Sequence, residues 1–180
     1  MLEPVSDSDL QFPIGGFELE AVLGAARRGE FIAQVADCPR RLGAAVSGLD
    51  RQQLDTPYRP GGWTVRQVAH HLPDSHLNVY TRFRLALTED VPTVRTFDHD
   101  RWADLTDSRT APIESSLDLL EGLHHRWVAL MKLMAEADWE RRFNHPDDGV
   151  LDLAATLQRY AWHGRHHVGH ITALRNRMNW

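Results

Sequence analysis

A chain of 180 residues, 42% hydrophobic and 25% charged, can bury a core without staples and has the balance of a folded protein, so residues 1–180 are expected to form a single soluble domain. A net charge of −5 offers no basic field to a phosphate backbone, which argues against nucleic acid as a partner. No apolar run approaches the roughly 18 residues needed to span a bilayer, and the N-terminus lacks the basic flank and apolar stretch of a leader, so no membrane partner and a cytoplasmic location are expected.

Residues 1–17, with Pro4, Pro13, Gly15 and Gly16, read as an extended N-terminal arm. From Glu18 to Leu49 the chain turns to Ala, Leu, Arg and Glu, with Phe31, Val35, Leu42 and Val46 at helical spacing. That predicts a first helical region, broken or kinked at Pro39. LDTPYRPGGWT, residues 54–64, is a loop by its prolines and glycines. Thr64 and Gln67 make a capping box for a second helix through Val65, Val68, Leu72, Val79 and Phe83 to about Thr88, bent at Pro73. Residues 91–114 read as a long irregular connection of the kind that covers a site. Ser115 or Ser116 starts a third helix through Leu120, His124, Trp127, Met131 and Met134; Asn144–Gly149 is a turn; Asp152 caps a fourth helix that runs to the end. Nothing sustains strand alternation and no repeat recurs, so the expected fold class is all-α, a helix bundle without a sheet.

Cys38 is the only cysteine, which excludes an internal disulfide or a cysteine-rich zinc site and leaves a transition metal to histidine and carboxylate. Histidine is the anomaly, with 11 copies clumped as His70, His71 and His76 and as His163, His166, His167 and His170. His163 and His167 are i and i+4, a spacing that lets two imidazoles converge on one ion, and His71 from another helix would complete a three-histidine set with an open position. His71 heads a polar line, Ser75, Asn78 and Arg82, suited to the wall of a wet cavity. Taken alone, His-x-x-x-His is common among ordinary helix histidines. His166 and His170 form a second such pair, and neighbours point about 100° apart, so one of each adjacent pair is expected to face inward. Spacing does not choose between the pairs. Glu121 with His124 matches one unit of a di-iron bundle but has no second unit. Cys38 reads as a structural thiol and the six tryptophans as packing residues.

FPIGGFE (12–18), LDTPYRPGGWTVRQVAHHLPDSHLNVYTRFRLALTED (54–90) and YAWHGRHHVGHI (160–171) together closely resemble the YfiT-type proteins, also called BstA, of the DinB superfamily. SLDLLEGLHHRWVALM (116–131) extends the likeness over nearly the whole chain. The resemblance implies a four-helix bundle in up-down-down-up order, a homodimer, and one divalent metal per chain held by His71, His163 and His167, with zinc the default and nickel the alternative. It leaves His70, His166 and His170 either as plain neighbours or as outer groups that accept the ligands' other ring N–H. Pro73 departs from the alanine usual there. The family is described both as metal-dependent hydrolases and as transferases of bacillithiol. The expected function is therefore metal-dependent transfer of a low-molecular-weight thiol to a small electrophilic substrate, with Ser75, Asn78 and Arg82 contacting an anionic thiol; a surface salt bridge is the plain reading of Arg82. Hydrolysis of an amide or ester is the first alternative and a non-catalytic metal-binding stress protein the second.

Overall fold

In the computed structural model, which describes residues 6–180, the chain runs α1 (Asp7–Gln11), α2 (Ala25–Val46), α3 (Arg51–Leu54), α4 (Val65–Thr88), α5 (His99–Ala103), α6 (Thr106–Thr110), α7 (Glu114–Leu133), a 3-10 segment (Glu136–Glu140), β1 (Arg142–His145), β2 (Gly149–Asp152) and α8 (Leu153–Met178). Residues 1–5 of the expected arm lie outside the described residues. None of the described helices is long and apolar enough to cross a membrane.

The helix starts follow local chemistry. At α4, Thr64 Oγ1 accepts from the Gln67 N–H (3.1 Å) and Gln67 Oε1 accepts from the Thr64 N–H (2.9 Å), satisfying two donors that a helix start leaves free. At α8, Asp152 Oδ1 accepts from the Ala155 N–H (2.6 Å). α7 instead begins at Glu114, with no side-chain cap. Ser116, expected to cap it, lies 2.7 Å from His70 Nδ1. α2 begins at Ala25 rather than near Glu18, because the preceding backbone is held against α8, where the Glu20 N–H donates to Gln158 Oε1 (2.9 Å). Both α2 and α4 run unbroken through their prolines, Pro39 and Pro73. Each proline lacks the N–H that would bond four residues back, which releases the Val35 and Ala69 carbonyls.

α2 and α4 each pack against both α7 and α8, so the first two long helices stand diagonally. Arg175 Nη1 donates to the Ala45 carbonyl (2.9 Å) at one end, and a Cβ on Gly164 would come 2.7 Å from Cys38 Sγ near the middle, which makes α2 and α8 parallel. Contacts of His70 with Ser116 and of His76 with His124 make α4 and α7 parallel. Those of His71 with His167 and of His76 with Tyr160 make α4 and α8 antiparallel. The bundle is therefore a four-helix bundle in up-down-down-up order.

Apolar side chains fill the bundle in two clusters. One gathers Phe31, Val35, Val79, Phe83, Trp127 and Leu157; the other gathers Cys38, Leu42, Val68, Leu72, Leu120 and Ile171. On each long helix the chain passes from one cluster to the other across a single level, and at that level stand His71, His76, His124, His163 and His167. A polar layer inside a core is costly unless its groups are paired, so this level calls for bonds or a ligand.

The sheet-free expectation is corrected by the hairpin β1–β2, in which Arg142 pairs with Asp152 and His145 with Gly149. Four-residue strands are too short for alternation to show, and only Phe143 and His145 of β1 turn inward. The connection 91–114 is likewise less irregular than expected, since it folds α5 and α6. It is clamped to α4 by Gln67 Nε2 donating to the Ala103 carbonyl (2.8 Å) and Arg66 Nη1 to that of Ala111 (2.8 Å). The arm is not wholly extended either, because Ser6 caps one helical turn at Asp7–Gln11.

Candidate metal centre

α4 brings His71 and α8 brings His163 and His167 to one point, where one nitrogen of each lies within 4.8 Å of the others. His71 Nε2 and His163 Nε2 are 3.3 Å apart. The loop 57–64 closes this point from one side. Its ends meet through the Tyr58 N–H on the Trp63 carbonyl (3.0 Å), and Gly62 has no room for a Cβ, which would come 2.8 Å from Arg59 Cγ. The tight turn lays Trp63 against His71 (4.6 Å between ring centroids) and parallel to His167 (6.1 Å). Trp63, read from sequence as a packing residue, is thus a wall of the centre. A tryptophan ending a glycine-rich loop just ahead of a histidine-bearing helix was the available signal.

Burial keeps these imidazoles neutral. It pushes His71 down to about 3, helped by neighbouring His99 and His170, and holds His76, His163 and His167 well below the ordinary histidine range, helped by surrounding histidines, His71 among them in each case. Three neutral imidazoles presenting nitrogens to one point fit a divalent ion of the zinc or nickel kind.

Behind His163 runs a line of hydrogen bonds into the core. His163 Nδ1 is 3.1 Å from His76 Nε2, His76 Nδ1 is 2.8 Å from His124 Nε2, and His124 Nδ1 is 2.6 Å from the Val35 carbonyl. His124 is buried while Glu121 is exposed, so the pair does not act as a di-iron unit. Cys38, behind the same layer, is buried and its thiol is pushed up to about 12 by loss of solvent, which makes it an inert packing group.

His166 and His170 form a different arrangement on the far side of His167. His170 stacks on Tyr58 (3.9 Å) and donates from Nε2 to the Gln11 carbonyl (2.9 Å). His166 stacks on Trp162 (4.4 Å). The Nδ1 atoms of His166, His167 and His170 are buried without a partner among the described residues. Of each adjacent pair only His71 and His167 join His163 at the centre, as expected, yet His70 and His166 are buried as well. The Ala111–Ser116 stretch covers His70, and the arm, through Gln11 and Phe12, covers the His166 flank.

The centre opens into a cavity of about 610 Å³, the size of a small-molecule site. Ser75 and Arg82 line it; Asn78 does not, because its amide turns back to donate to the Asp74 carbonyl (2.9 Å). Arg82 is buried, donates to the Arg95 carbonyl (3.2 Å), and has no carboxylate partner among the described residues, so the surface salt bridge reading fails. The carboxylates bordering the cavity, Asp100, Asp147 and Asp148, are exposed at its rim. His99, in α5, stands 6.3 Å from His71 and also lines it, as expected of a connection that covers a site.

Fold and donor set together define a class of protein, an up-down-down-up helical bundle with three histidines converging at the floor of a cavity. The chain belongs to the DinB superfamily, whose model matches residues 34–171. It is 49% identical over 172 residues to a Bacillus mycoides protein and 50% identical over 173 residues to a Bacillus cereus protein, in each case across 96% of this chain and 99% of the relative. Both carry the provisional name of metal-dependent hydrolase. Among solved structures it is similar to YfiT from Bacillus subtilis, with a TM-score of 0.93 and 44% identity across 96% of this chain and 99% of that one. YfiT is described as a metal-dependent hydrolase by inference, with an unusual four-helix bundle topology. A four-helix bundle protein, TT2238, shares the fold at a TM-score of 0.52 and 24% identity.

Proposed function

We propose that His71, His163 and His167 hold one divalent ion, zinc first and nickel second, and that the protein uses it to transfer a low-molecular-weight thiol of the bacillithiol kind to a small electrophile. The observation that carries this reading is the asymmetry of the cavity. Three neutral imidazoles converge at its floor, a buried arginine without a carboxylate partner among the described residues stands in its wall, and its own carboxylates are at the rim.

A bound ion would favour the thiolate of a thiol, the proton passing to solvent, so that the sulfur can bond to the carbon of an epoxide or alkyl halide as its C–O or C–halide bond breaks. The chain's residues supply the rest. Arg82, with guanidinium donors to spare, pairs with a carboxylate of the thiol, which offsets the cost of a buried unpaired cation. Trp63 and the half-buried Tyr160 narrow the access of water to the floor of the cavity. With no carboxylate buried beside the three histidines among the described residues, a thiol, which ionises to solvent more readily than water does, suits the site better than a nucleophile that must give a proton to a nearby base. Hydrolysis of an amide or ester is the second reading, favoured by the names of the Bacillus relatives.

The test incubates metal-loaded protein with bacillithiol, glutathione or no thiol, together with a model electrophile and a panel of esters and amides. Transfer predicts metal-dependent conjugation that disappears in His163→Ala. In Arg82→Gln the KM for the thiol should rise by about 10-fold or more with kcat less affected, as for loss of a charged hydrogen bond. Metal-dependent ester or amide turnover without thiol would establish hydrolysis instead. Metal binding with neither activity would leave a non-catalytic metal protein.

A further inference from the structure

We infer that Pro39, the Val35 carbonyl, His124 and His76 form a positioning relay that dictates which nitrogen of His163 carries the proton, keeping His163 Nε2 bare toward the centre. The direction of the relay follows from its last member. A carbonyl oxygen only accepts, so at 2.6 Å from the Val35 oxygen His124 Nδ1 is a donor. A neutral imidazole has one N–H, so His124 Nε2 is bare and accepts from His76 Nδ1 at 2.8 Å. His76 Nε2 is bare in turn and accepts from His163 Nδ1 at 3.1 Å. His163 then has its lone pair on Nε2, the atom 3.3 Å from His71 Nε2.

The anchor is encoded on α2. Val35 lies four residues before Pro39, and a proline has no N–H to give back to that carbonyl. The missing helical bond therefore leaves an acceptor inside the core, and His124 takes it. Four separate helices meet in this one line, which sets the ring plane and tautomer of His163 before any ligand arrives.

Two histidines outside the line carry the opposite tautomer. His170 donates from Nε2 to the Gln11 carbonyl, and His145 Nδ1 accepts from the Asp147 and Asp148 N–H groups (3.4 and 3.3 Å). Neutral histidine free in water also prefers Nε2–H, so the relay reverses an intrinsic preference at three positions.

The inference rests on His163 being a metal ligand only for its consequence; its first test needs no metal. Long-range ¹H–¹⁵N correlation spectra of the metal-free protein should show Nδ1–H tautomers at His76, His124 and His163, and Nε2–H at His145 and His170. An Nε2–H tautomer at His76 or His124 overturns the relay. In a second test, His124→Phe fills the same space without the nitrogens. His163 should then become a mixture of tautomers, and zinc affinity should fall by about 10- to 100-fold, the usual effect of losing an outer partner of a metal ligand, while the exposed His125→Phe changes neither. If His124→Phe leaves both the tautomer and the affinity unchanged, the relay does not position His163. Pro39→Ala restores a competing helical donor to the Val35 carbonyl and should loosen the tautomer of His124; an unchanged tautomer removes Pro39 from the relay. Should either variant fail to fold, the wild-type spectrum still decides.

Discussion

Two groups of histidines meet at the cavity floor, one of them reaching back into the core, and are built on opposite plans. Behind His163, each ring passes its hydrogen bond inward until a backbone carbonyl ends the line. Around His166, His167 and His170, three buried Nδ1 atoms have no partner among the described residues, and the rings are held by stacking on Trp162, Trp63 and Tyr58, with only His170 also bonded, to the Gln11 carbonyl. Stacking fixes a ring's plane but not its proton. The first group is therefore preset, with its lone pair aimed before a ligand binds, whereas the second is incomplete until something polar enters. His167 lies within ligand reach both of His71 with His163 and of His166 with His170, and it joins the preset side of the centre to the open one.

The largest expected effect breaks this comparison at its junction. His71→Ala, His163→Ala and His167→Ala should each lower zinc affinity by at least about 100-fold, more than loss of an outer partner does, whereas His166→Ala and His170→Ala should stay within about 10-fold of wild type. Metal content of the purified variants, followed by competition with a chelator, reads this directly. Loss of metal in His166→Ala with retention in His167→Ala would reverse the register and move the centre to the second group.

Acid tests both groups together. Burial depresses His71 to about 3 and His124 and His166 to about 4, so the native state keeps these rings neutral while the unfolded chain protonates them below about 6.5. The unfolded state binds more protons in that window, so stability is full above it and is lost as pH falls toward the native values. Around pH 5 these three groups should cost about 4 kcal/mol per pH unit, each proton contributing roughly 1.4. Urea unfolding of the metal-free protein at pH 7.5, 6 and 5 measures the slope, and His124→Phe should reduce it by about one proton's share. A flat profile would mean that the layer is hydrated rather than buried.

Much of this architecture was legible in the sequence for local reasons. Thr64 with Gln67, and Asp152, announced the starts of α4 and α8 because caps act within one turn. The convergence of His163 and His167 followed from a four-residue period. What was not legible is relational. His76 and His124 are 48 residues apart, and no periodicity says that two helices will align those two positions. Ser116 looked like a cap and is instead engaged with His70. Pro39 looked like a break and instead releases a carbonyl whose partner lies on another helix. Choosing His167 over His166 also exceeded what spacing could give and came from the resemblance. The hairpin was missed because strands of four residues carry almost no pattern.

The smallest expected effect separates the stability of α8 from the positioning of its histidines. Asp152 caps the helix through the Ala155 N–H (2.6 Å), and Asp152→Ala should lower global stability by about 1 kcal/mol, the usual cost of losing such a cap. The cap lies three turns before His163, and the orientation of His163 depends on contacts with α4, α7 and α2, not on the helix end. Zinc affinity measured well below the unfolding transition should therefore match wild type. If affinity falls in step with the loss of stability, His163 is held by the helix as a whole; if stability falls alone, it is held by the side-chain line behind it, and the contrast between the preset and open groups is a property of hydrogen bonding rather than of where each sits along α8.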